Sequence, residues 1–158
     1  MDSTIVFMLS FAIGIIAGLR SLTAPAAVSW AAYLAWISVQ GTWLNFLSYA
    51  AAAYIFGVLA LVELVTDKLS KTPSRKAAGP FGARIMFGAM SGAALTAAGH
   101  QSWIVGAALG GLGAVAGTLG GYAARTGLVK ALKSPDWVVA VCEDVIAVGG
   151  GLFLVSRF

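Results

Sequence analysis

Charge is scarce in this chain. Only 10% of its 158 residues are Asp, Glu, Lys or Arg, against about a quarter in a typical soluble domain. That shortage excludes a fold with water on every side. Acids are scarcer than bases, six against ten. The single cysteine, Cys142, can close no intrachain disulfide, and its apolar surroundings predict a small buried side chain without redox chemistry. The single histidine, His100, has no second ligand near it in sequence, so neither a metal site nor any other cofactor is expected. No stretch follows the spacing of a hydrolase triad, a Walker loop or a zinc motif. The formal charge of +4 and the pI near 9.5 come without a soluble basic region interleaved with aromatics. Nucleic acid is therefore not an expected partner.

What the chain does have is apolar length: 59% of it is hydrophobic and the mean hydropathy is +0.90. Apolar stretches run over Thr4–Leu19, Leu22–Val39, Ser48–Thr66, Phe81–Gly99, Ser102–Gly121 and Trp137–Ser156. Each is roughly long enough to cross about 30 Å of hydrocarbon at 1.5 Å per residue. The start at Met1-Asp2-Ser3 lacks a basic n-region, and no small-residue cleavage site follows, so the first stretch is expected to remain in the mature protein. The predicted fold is an all-α, polytopic transmembrane helical bundle of about six short membrane segments, forming one domain over 1–158. Its first hairpin, at Gly18–Pro25, is polar and broken, either a tight turn or a re-entrant kink. Halves at 1–72 and 73–158 would have opposite orientation, a 3+3 inverted repeat. Ala60-Leu61-Val62-Glu63 and Ala140-Val141-Cys142-Glu143 occupy matching places in the two halves.

Six crossings sort the charges. One face then collects nine of the ten basic residues and leaves only Arg157 on the other, which is the bias of cytoplasmic loops. Both termini are expected outside the cytoplasm. Trp30, Trp36 and Trp43, with Tyr33 and Tyr49, flank the turn at the opposite face, as interfacial aromatics do. The 20 glycines recur in small-xxx-small spacing, for example Gly88/Gly92, Gly106/Gly110 and Gly113/Gly117, which favours close helix contact in lipid.

Ionisable groups inside apolar segments are the candidates for function. Glu63 and Asp67 lie four apart on one helical face. Glu143 and Asp144 are adjacent, so only one of them is expected to point the same way. Arg20, Arg84 and Arg125 are their expected cationic partners. Arg75, after Pro73 and before the helix start at Gly79-Pro80, could grip a phosphate or a lipid headgroup.

Gly18-Leu19-Arg20-Ser21, Glu63 with Asp67-Lys68, Pro73-Ser74-Arg75, Pro80, Arg84 and Glu143-Asp144 before a glycine-rich last helix form a combination. It resembles a bacterial membrane family catalogued as a domain of unknown function, number four-one-two-six, over nearly the whole chain. The resemblance implies a multi-pass protein of a bacterial inner membrane and brings no activity with it. Glu63–Ala98 is also faintly similar to prenyl-alcohol and phytyl-phosphate kinase-like membrane enzymes.

Arg20, Glu63, Asp67, Arg75, Arg84, Arg125, Glu143 and Asp144 are the expected binding residues. The leading expectation is a small transporter or channel-like protein, not an enzyme, with a cytoplasm-facing polar pocket. Its expected partners are membrane lipid, a small ion or anionic solute, and a second copy of itself. The alternatives are an enzyme acting on a phosphorylated lipid or isoprenoid, with magnesium held by Asp67 and Glu143/Asp144, and a non-catalytic membrane scaffold.

Overall fold

The computed structural model describes residues 1–67, 78–132 and 136–158, so Arg75 and the loop around it lie outside the described residues. Every element among the described residues is helical: α1 (Ser3–Leu19), α2 (Thr23–Tyr33), α3 (Ala50–Thr66), α4 (Ala78–Ala98), α5 (Trp103–Leu132) and α6 (Asp136–Val155). A 3-10 turn at Trp43–Ser48 joins α2 to α3. Two stretches, Trp103–Ala131 and Trp137–Val155, are long and apolar enough to cross a membrane; α1 and α3 are apolar but shorter, at 17 residues each.

The second apolar stretch departs from expectation. Leu22–Val39 is α-helical only over the 11 residues of α2. Pro25 is the third residue of that helix, within the first turn, where its missing N–H breaks no helical bond. At the other end Ala35 takes a left-handed φ of 59°. The Trp36 N–H then returns to the Ala31 carbonyl at 2.8 Å, the bond that closes a Schellman motif. The fifth stretch is longer than expected. Helix α5 has 30 residues, about 45 Å at the standard rise, so Arg125 and Lys130 lie on a helix and not in a loop. The expected halves thus hold helices of unlike length at matching places, 11 residues in α2 against 30 in α5.

Helix α5 packs between α1 and α4 through glycine. A Cβ at Gly14 or Gly88 would collide with the Gly110 carbonyl, one at Gly92 with the Gly106 carbonyl, and one at Gly117 with the Ile15 carbonyl. Contact is therefore backbone to backbone, the geometry that small-xxx-small spacing permits. Around this sits α2, nine of whose residues are buried.

The outside is apolar. Val58, Leu61 and Val65 on α3 and Val145 and Ile146 on α6 are each 58 to 67% exposed. Cys142 is also exposed, contrary to the buried position expected for it: an apolar neighbourhood in sequence does not separate the inner face of a greasy helix from its outer one. At one end of the bundle Trp43 meets Trp103 edge to face, with centroids 5.8 Å apart, and Trp30 meets Tyr54 at 5.2 Å.

Candidate functional site

The helix break between α1 and α2 leaves backbone groups of both helices without helical partners. Arg20 is the C-terminal cap of α1, its N–H bonded to the Ile16 carbonyl at 2.8 Å. The Gly18 carbonyl, also orphaned by the break, accepts from the Thr118 hydroxyl of α5 at 3.2 Å. At the start of α2 the exposed donors are taken by one carboxylate. Glu63, arriving from α3, accepts the Ser21 N–H at 2.8 Å, the Ser21 hydroxyl at 2.5 Å and the Leu22 N–H at 2.8 Å. An anion there also faces the positive end of the α2 dipole.

The Arg20 side chain turns the other way, into acids from two further helices. It is 0% exposed, the largest fully buried side chain among the described residues. Its Nε donates to Oδ1 of Asp144 at 2.7 Å, and Nη2 reaches the same oxygen at 2.6 Å. Nη1 pairs with Oδ2 of Asp67. Glu143 lies 4.0 Å from Nη2 of Arg20 and 3.6 Å from Nη1 of Arg125, so it stands between two guanidiniums. Fixing five donors in a plane is what suits arginine to such a node.

Six of the expected residues therefore meet: Arg20, Asp67, Arg125, Glu143 and Asp144 through their side chains, and Glu63 through the backbone beside Arg20. The four-residue spacing of Glu63 and Asp67 does bring both to the break. Of Glu143 and Asp144 only one is expected to point this way; Asp144 takes the Arg20 guanidinium at 2.6 Å, and Glu143 stands farther off at 4.0 Å, nearer to Arg125. Arg84 is 4% exposed on α4, one turn before Gly88, whose missing Cβ would meet Ala17 and Ala114. Arg75 lies outside the described residues.

Two contributors escaped sequence reasoning. Ser21 stands out in the sequence only as part of a motif, and Thr118 does not stand out at all. Each has a role that depends on a partner more than 40 positions away, and no local pattern signals it.

A cleft of about 280 Å³ adjoins the node between α5 and α6, lined by Leu19, Leu128, Val139 and Ile146 together with Arg125 and Glu143. The Arg125 and Glu143 side chains are 18% and 9% exposed.

A family model described as a domain of unknown function (DUF4126) matches residues 7–156. The chain belongs to the DUF4126 family. No curated protein and no solved structure matches it. Among its described residues no group of three or more His, Cys, Asp or Glu side chains could hold a metal ion. Asp67, Glu143 and Asp144, the carboxylates expected to hold magnesium in the enzyme alternative, each lie within 4.0 Å of Arg20.

Proposed function

We propose that this protein is a small multi-pass transporter or channel-like protein of a bacterial inner membrane, with its basic loops cytoplasmic and the Arg20 node as its gate and binding site. One observation carries the reading: a helix interrupted inside an apolar bundle, with a fully buried arginine at the interruption and acids from two other helices upon it. Ionisable groups at such depth are expensive and mark ion or solute pathways, and interrupted helices are where transporters build their sites. In this reading the state described is closed. Glu63 holds the break, while Glu143, between Arg20 and Arg125 on the wall of the α5–α6 cleft, is the acid that an arriving ion or proton meets. An anionic solute would instead compete for Arg125.

Reconstitution into proteoliposomes tests it. Proton, potassium, sodium and chloride gradients are imposed in turn, and wild-type protein is expected to dissipate at least one of them faster than empty vesicles, with Glu143→Gln reducing that flux. Equal leakage with and without the protein for every gradient would sink the transport reading.

A non-catalytic scaffold is the second reading, and a specific observation favours it too. Each of Glu63, Asp67, Glu143 and Asp144 already has a partner within the chain. A scaffold predicts that Glu143→Gln changes stability and no flux.

A further inference from the structure

A second groove, of about 360 Å³, lies between α2, α3 and α6 and shares no lining residue with the α5–α6 cleft. We propose that it holds one acyl chain of a membrane glycerolipid, whose ester carbonyl accepts a hydrogen bond from Thr23. The inference rests on the membrane embedding given under Proposed function and is independent of transport.

Three features of the groove specify this occupant. The first is its length. On α3 it runs from Tyr54 to Leu64, about 15 Å of helix, which is half of the roughly 30 Å hydrocarbon layer. It begins beside Glu63 and therefore covers the leaflet on the side of the charged node. The second is its wall, which is alkyl and aromatic: Ala26, Ala27, Gly57, Leu61 and Leu152 line it below Trp30. Gly57 supplies the width, since a Cβ there would stand 3.1 Å from Nε1 of Trp30. Leu61 and Leu152 are 64% and 46% exposed, so the groove opens sideways to the phase that surrounds the apolar exterior.

The third feature is an unmatched polar atom. Thr23 lines the groove, is 5% exposed, and its hydroxyl has no hydrogen-bond partner among the described residues. The other buried threonines return their hydroxyls to the carbonyl four residues back, Thr118 to Ala114 at 2.8 Å and Thr96 to Gly92 at 3.2 Å. Thr23 is the first residue of α2 and has no helical turn behind it, so its partner must come from elsewhere. Native proteins rarely leave such a group unmatched. It sits at the charged end of the groove, where the ester group of a lipid in that leaflet would lie.

The test uses the full chain in mild detergent, with palmitoyl-oleoyl phosphatidylglycerol and its ether-linked analogue as probes and native mass spectrometry as the readout. One ester lipid retained per chain is expected. Gly57→Leu, which fills the groove with apolar atoms, should lower retention roughly tenfold. Thr23→Val should weaken retention of the ester lipid and leave the ether analogue, which has no carbonyl to offer, unchanged. In case Gly57→Leu perturbs folding, a diazirine placed on the acyl chain should label wild-type residues 54–64 and 148–152 above all other segments. Label spread evenly around every helix, or retention indifferent to Gly57→Leu, would overturn the proposal. So would dimers cross-linked through this face, which would make the occupant a second copy of the chain. Release of the protein from membranes by alkaline carbonate would instead defeat the membrane embedding, whereas a chain that stays embedded yet holds no lipid defeats this inference alone.

Discussion

Arg20 grips Asp144 through two nitrogens, Nε at 2.7 Å and Nη2 at 2.6 Å on the same carboxylate oxygen, across 124 positions of sequence. The pair closes the last helix onto the first helix break. Because Arg20 is fully buried, neither partner can be removed without leaving the other in a poor solvent.

Arg20→Ala should therefore destabilise the fold by about 3–5 kcal/mol, the usual penalty for breaking a buried ion pair on one side. Replacing both members, Arg20→Met with Asp144→Leu, should cost clearly less than the two single changes summed. Thermal unfolding of the four proteins in detergent gives the coupling. Strict additivity would mean that the two groups do not interact.

Glu63 acts chiefly on the backbone and hydroxyl donors ahead of α2. Glu63→Gln keeps one carbonyl oxygen where the carboxylate had two, and Ser21 and Leu22 present three donors between them. A loss of about 1–3 kcal/mol is expected from the donor left unmatched. Hydrogen exchange should quicken at the Ser21 and Leu22 amides before it does at any amide of α2. Unchanged protection there would remove Glu63 from the capping role.

The glycines of α5 divide sharply. Gly110→Ala forces a methyl into the backbone of Gly88 and should cost about 1–3 kcal/mol or more, as overpacking does. Gly120→Ala meets nothing within 4 Å and should gain up to about 1 kcal/mol from helix propensity. Parallel melting curves distinguish the two, and similar shifts in both would contradict the close packing of α5 against α4.

Ala35 ends α2 in a left-handed conformation, φ 59°. That backbone costs an L-residue roughly 1–2 kcal/mol, so Ala35→Gly should raise stability by about 1 kcal/mol, after its own entropic loss. A lower melting temperature would show that the Ala35 methyl contributes more than its backbone costs.

Several of these relationships were legible beforehand, and the reason differs from residue to residue. Glu63 and Asp67 could be placed on one face because helical spacing is local. Gly88, Gly92, Gly106 and Gly110 could be marked as close-approach positions because a missing side chain has the same meaning on any helix. Tyr33 could not be identified as the end of α2, since the stop depends on Ala35 adopting a conformation that alanine usually avoids. Cys142 could not be assigned to the outer face, because outward-facing and core-facing positions of this apolar helix carry the same kinds of residue.

The sequence alone determined the helical class, the shortage of charge and the gathering of acids and arginines at particular segment ends, since these follow from composition and from periods of three or four residues. Tertiary structure decided which acid answers which arginine, that one carboxylate serves two backbone amides of another helix, and that Thr23 faces a groove without a partner. Those outcomes depend on distances between atoms tens to more than a hundred residues apart, and such distances arise only when glycine faces let the helices come together.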